Sequence, residues 1–168
     1  MQTKDQGHKL LAEYFFYEIY GTTYDSFQSH SVSKESMMTY AKILLACVNG
    51  DGEISELERD WVMGAFLARG CPKEWVQELE DLNPDINDLS LDSSWTMSDR
   101  LGILYNALKA CDVDGTASGE REAIYKAAKV MDVPQEKVEQ LEAIYQEEKE
   151  LKSKLMEVIG KDWFHLVA

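Results

Sequence analysis

The chain reads as an all-α protein. It is a helical bundle built from two pseudo-symmetric helix–acidic turn–helix repeats, with an extra N-terminal helix and a long C-terminal helix. Three observations predict this. Apolar residues recur at spacings of three and four along most of the 168 residues, with no convincing period-two alternation. Asp-Gly turns stand at Asp51-Gly52 and Asp114-Gly115, each between two such segments. The segments flanking those turns match each other in order, a fold signal because each unit can lay its apolar face on the other.

The elements follow in turn. Leu10, Leu11, Tyr14, Phe15, Tyr17 and Ile19 mark an apolar N-terminal helix that stops near Gly21, ahead of a Ser/Thr-rich loop over 22–34. Ser33 or Ser36 opens the next helix, which carries Met37, Tyr40, Ile43, Leu44 and Val48 and ends in Asn49-Gly50-Asp51-Gly52. Ile54, Leu57, Trp61, Val62, Ala65 and Phe66 form the following helix, closed by Gly70. Pro72 suits the first turn of a short third helix with Trp75, Val76 and Leu79. Asn, Asp, Ser and Pro then dominate to Ser94, as befits a connecting loop. Thr96 and Asp99 start a helix with Leu101, Leu104, Tyr105 and Leu108 inward.

Here the pattern begins again. Leu45 to Gly52 matches Leu108 to Gly115 at an offset of 63, and Pro72, Val76 and Leu79 match Pro134, Val138 and Leu141 at 62. The last helix runs from Gln135 to about Ile159, with Val138, Leu141, Ile144, Leu151, Leu155 and Val158 spaced for one face and Glu147, Glu148 and Lys152 on a solvated one. The single domain thus divides into an N-terminal helix region (1–35), repeat one (36–82), a loop (83–95), repeat two (96–160) and a tail (161–168) whose Trp163-Phe164-His165-Leu166-Val167 either packs back on the core or docks on a partner.

Composition bounds the function. With 31 acidic and 17 basic residues the net charge is −14, which repels nucleic acid and anionic lipid and favours cations or basic partner surfaces. Cys47, Cys71 and Cys111 form no CxxC, and His8, His30 and His165 have no zinc spacing, so a reducing, cytoplasmic setting is expected. Leu10–Tyr20 is interrupted by Glu13 and Glu18, and no stretch approaches the ~20 apolar residues that span a bilayer. Direct membrane insertion is not expected. There is no G-x-S-x-G, P-loop, HExxH or defensible Cys/His pair, so no enzyme is read.

The chemistry concentrates in the two acidic turns. Cys47 to Glu58, aligned on Gly52, resembles a twelve-residue EF-hand loop with Asn49, Asp51, Ser55 and Glu58 at ligand positions. Calcium wants hard oxygen donors, and Cys47 at the first position is soft. In the second loop that count brings Arg121 to the last position, with Glu120 beside it. Helix capping explains much of the same pattern: Ser55-x-x-Glu58 is a capping box, and Ser118 is the corresponding cap. Capping needs only one side chain per turn, whereas Asn49 and Asp51 are echoed by Asp112 and Asp114. Two oxygen-bearing side chains on a tight turn, with a glutamate one helical turn on, can gather around a cation.

The segment Leu44-Leu-Ala-Cys-Val-Asn-Gly-Asp-Gly-Glu-Ile-Ser-Glu-Leu-Glu58, with its echo Asp112-Val-Asp114-Gly-Thr-Ala-Ser118-Gly-Glu120-Arg-Glu122, resembles the TerB-like family named for tellurite-resistance proteins. The likeness covers roughly 37–150. It implies an all-helical bundle with pseudo-twofold symmetry, a link to metal and chemical stress, and metal-linked complexes at the inner face of the membrane. It also implies cation-facing roles for Asp51, Glu53 and Glu58, and for Asp114 and Glu120. Arg121 and Ala117 depart from the motif, so the first turn is the fuller site. The expectation is therefore a non-enzymatic module that binds a divalent cation, Ca²⁺ or another, or a protein partner. A degenerate EF-hand-like calcium binder and a purely structural interaction domain are the alternatives.

Overall fold

The computed structural model describes residues 10–14, 17–18, 33–90, 94–116 and 118–160, and among these every regular element is helical. The elements are α1 (Lys34–Val48), a 3₁₀ turn (Asn49–Asp51), α2 (Glu56–Ala68), α3 (Lys73–Gln77), a 3₁₀ turn (Ile86–Asp88), α4 (Met97–Cys111), α5 (Ser118–Val130) and α6 (Gln135–Ile159). Residues 10–14 and 17–18 are helical too, and the tail Trp163–Val167 lies outside the described residues.

Side chains satisfy the helix starts. Ser33 accepts from the Ser36 N–H at 3.1 Å and so opens α1. Ser55 with Glu58 and Thr96 with Asp99 close full capping boxes, each leaving two fewer orphan N–H groups. Ser118 is the first residue inside α5 rather than its cap, so the cap position falls on residue 117, outside the described residues.

The helix ends are built alike. At the end of α2, Gly70 turns left-handed (φ 80°) and the Cys71 N–H donates to Phe66 O at 3.1 Å. At the end of α5, Asp132 takes the same turn (φ 52°) and the Val133 N–H donates to Ala128 O at 2.8 Å. Both are Schellman closures, with Pro72 and Pro134 following at the N-caps of α3 and α6. α1 and α4 each have 15 residues, and α2 and α5 each have 13.

The core lies among α1, α2, α4 and α5. Ile43, Leu44, Leu45, Val48, Val62, Leu104 and Ile124 are almost wholly buried in it. Its tightest point is between backbones. A Cβ on Gly50, in the first turn, would stand 2.5 Å from Gly119 O and 2.7 Å from Glu120 Cα. A Cβ on Gly119, at the start of α5, would stand 2.6 Å from Gly50 O. Neither position has room for any side chain, so two glycines let the turn lie directly on the helix.

α6 is attached differently. Val138 alone among its residues is buried, and the helix extends about 37 Å at 1.5 Å per residue. Three tyrosine–acid–base groups hold it. Glu148 accepts from Tyr105 Oη, from Lys109 at 3.1 Å and from Lys152 at 2.5 Å. Asp112 accepts from Tyr145 Oη at 3.0 Å and pairs with Lys149 at 2.5 Å. Glu142 pairs with Arg121 at 2.9 Å and accepts from Tyr125 Oη at 2.9 Å. Glu148 is thus a mostly covered anchor, where the charge pattern predicts a solvated face. Ile144, Leu151, Leu155 and Val158 are exposed, so the apolar spacing of α6 continues beyond the part that the bundle covers.

Two mutational outcomes follow from this packing. Gly50→Ala should cost about 1–3 kcal/mol by overpacking, whereas Gly64→Ala, exposed in mid-helix with open space around it, should stabilise by about 0.5–1 kcal/mol. Urea unfolding of both variants measures the opposite signs. Asp132→Gly should add about 1 kcal/mol by relieving left-handed backbone at a non-glycine residue, read as a rise in melting temperature.

Candidate functional site: two acidic turns and a buried glutamate pair

The two Asp-Gly turns share a left-handed glycine, Gly52 at φ 98° and Gly115 at φ 109°. Their polar side chains are used differently. Asn49 is half-buried, and its Nδ2 donates to Pro84 O at 3.3 Å, tying the first turn to the connecting loop. Asp51 Oδ1 accepts from the Glu53 N–H at 3.1 Å, an Asx turn on the surface. Glu53 and Asp114 are exposed. Asp112 accepts from Thr116 Oγ1 at 3.3 Å besides pairing with Lys149 and Tyr145.

Glu58 and Glu120 stand apart from these five. They occupy matching places, 62 positions apart, one turn into α2 and α5. Each is only 3% exposed. Glu58 Oε2 accepts from the Ser55 N–H at 2.7 Å, while Oε1 is buried with no hydrogen-bond partner. Both carboxylates act on one thiol. Burial pushes Cys111 far above the ordinary thiol range, and Cys47, Glu120, Glu58 and Asp112 push it further. Burial, followed by Glu120, raises Cys47 to about 12. Glu58 and Glu120 thus lie near Cys111, and Glu120 near Cys47, with all four side chains buried.

Of the seven residues singled out in the sequence, the fold brings Glu58 and Glu120 to the same buried thiol, Cys111, and leaves Asn49, Asp51, Glu53, Asp112 and Asp114 on the turns. Among the described residues no three His, Cys, Asp or Glu side chains are gathered as a metal cage. Cys47 sits in the last turn of α1 and is fully buried, so the chain does not offer an EF-hand donor at that first position. Arg121 does not intrude on the second turn; its guanidinium is committed to Glu142 and Tyr125. Its counterpart 62 positions earlier, Arg59, binds Leu79 O and Leu82 O at 2.9 Å and Asn83 Oδ1 at 2.7 Å, holding the start of the connecting loop. Sequence reasoning missed Cys111 as a member of the site. It stands 64 positions after Cys47, one place beyond the repeat offset of 63, so no motif match marks it.

The acidic clamps make attachment of α6 pH-dependent. Burial works to raise Glu148, but Lys152, Tyr105 and Lys109 outweigh it and hold the carboxyl at about 2, below its ordinary 4.5. Burial likewise opposes, and Lys149 and Tyr145 outweigh it, in lowering Asp112. Depressed folded-state values stabilise fully above the unfolded value and are lost as pH falls through the folded one. Melting temperature should therefore fall from about pH 5 toward pH 2. Glu148→Gln should melt lower at about pH 7 and show a shallower acid slope, measured by circular dichroism across that range.

No protein-family model matches the chain, and no curated protein sequence matches it. In three dimensions it is similar to the crystal structure of a tellurite resistance protein from Nostoc punctiforme, with a TM-score of 0.65 and 22% sequence identity. The superposition covers 95% of this chain and 96% of that one. The two proteins share one all-helical fold over nearly their whole lengths, the kind of fold that the TerB-like resemblance of the Asp-Gly motifs implies.

Proposed function

We propose that the chain is a non-enzymatic, TerB-like module of the metal and chemical stress response, and that Glu58 and Glu120 hold a divalent cation. The observation that carries the cation reading is Glu58 Oε1, a carboxylate oxygen buried without a hydrogen-bond partner. A buried acceptor left without a partner costs about 1–3 kcal/mol, a penalty that a bound cation would remove. Glu120, from the matching place on the other second helix, acts on the same thiol and is the natural second ligand. The donors are carboxylate oxygens and the neighbouring sulfurs are thiols, which favours a hard cation such as Ca²⁺, Mg²⁺ or Mn²⁺ over a thiolate-loving one. Backbone carbonyls and water would complete its shell. Asp51, Glu53 and Asp114, exposed on the turns, raise the local cation concentration.

The stress-response part rests on the fold shared with the tellurite resistance protein and on the two Asp-Gly motifs. A membrane-associated protein partner belongs to the same reading, as the resemblance of the two Asp-Gly motifs implies. The test is a thermal-shift and calorimetric series with millimolar Ca²⁺, Mg²⁺, Mn²⁺ and Zn²⁺. A cation held at 100 times its Kd stabilises by about 2.7 kcal/mol, a rise of several degrees. Glu58→Gln and Glu120→Gln should keep the fold and abolish that rise, while Asp51→Asn and Asp114→Asn should reduce it. No rise with any cation, or a rise that survives Glu120→Gln, would sink the cation reading.

A further inference from the structure

The free flank of α6 carries an unused apolar stripe. Ile144 is 54% exposed, Leu151 69%, Leu155 53% and Val158 86%. At 100° per residue these four fall within about 60° of one another, with Tyr145 and Val138 about 110–130° around the helix from their centre and Glu148 between, at about 50°. The four stand at intervals of seven, four and three residues, the repeat lengths of a helix-pairing seam. Two exposed charges of opposite sign border it on the solvent side, Glu147 and Lys154, one heptad apart on the same flank and both without an ion-pair partner among the described residues.

We propose that α6 pairs with α6 of a second copy of this chain in antiparallel fashion, about a twofold axis at Leu151. That register sets Ile144 against Val158 of the other copy and Leu151 against its own equivalent. The same register brings Glu147 beside Lys154 of the other copy, twice, so both lone charges are neutralised. A parallel pairing would set this flank against the opposite flank of the other copy and keep Glu147 and Lys154 apart. Isologous twofold contact is the commonest route to a closed oligomer, and every residue needed lies on one helix. A lipid surface is a poorer occupant, because Glu147, Glu150 and Glu157 stand on the exposed part of this same helix segment and oppose anionic headgroups. The pairing is independent of the cation reading, since it uses neither turn.

Sedimentation velocity on the full chain over about 1–300 μM, with light scattering, tests it. The expected result is a reversible dimer. Leu151→Glu should weaken it at least 100-fold without lowering the monomer's melting temperature, because the side chain is solvent-exposed in the monomer. Glu147→Lys or Lys154→Glu alone should weaken dimerisation about fivefold, and the double exchange should restore it. A monomer throughout the concentration range overturns the proposal. So does a dimer indifferent to Leu151→Glu, or one that the double exchange does not rescue. A monomer destabilised by Leu151→Glu also overturns it, and would assign the stripe to another part of the same chain.

Discussion

The contact between Gly50 and Gly119 is the constraint on which the rest of the arrangement depends. Backbone rests on backbone there, at a separation that a single methyl group would break. Because the first turn can sit directly on the start of α5, Glu120 is carried inward to the region of Cys47 and Cys111 instead of remaining on a solvated first helical turn. The related places in the other half hold Val113 and Leu57, and Leu57 is 57% exposed. The two units are therefore not interchangeable: one turn is pressed against the opposite helix through glycines, and the other has side chains where such an approach would occur.

The covered acidic residues divide into two physical classes. Asp112, Glu142 and Glu148 each meet a lysine or arginine and a tyrosine hydroxyl, and these satisfied groups fasten α6 to α4 and α5. Their charge has been spent on architecture. Glu58 is of the other class, buried with one oxygen in a capping box and one with no partner. A net charge of −14 says nothing about this division. It arises from which carboxylates have a cation in reach, and in a low-dielectric interior that difference matters far more than the count.

α6 shows how periodicity and burial separate. Its apolar residues keep helical spacing along the whole length, yet the bundle covers only the first turns, around Val138 and Leu141. Further along, tyrosine-backed ion pairs take over from apolar packing, and the hydrophobic positions rotate onto the free flank. A seam spaced for packing has a meaning even where its own chain does not cover it, and the lone charges beside it give that meaning a direction.

Local chemistry was legible in the sequence wherever it depended on neighbours along the chain. The capping boxes at Ser55–Glu58 and Thr96–Asp99, the Pro-started helices and the Asp-Gly turns all follow from short-range rules. The all-helical class follows too. The reach of Arg121 was misread, because counting loop positions cannot tell that its guanidinium turns to Glu142, 21 residues away. Cys111 was invisible as a site member for the same reason, its link to Glu58 and Glu120 being one of space alone. Tertiary structure decided which glutamates are buried, which carboxylates find a lysine, and where α6 runs out of core. Those outcomes are set by the approach of distant backbones, and only packing fixes that distance.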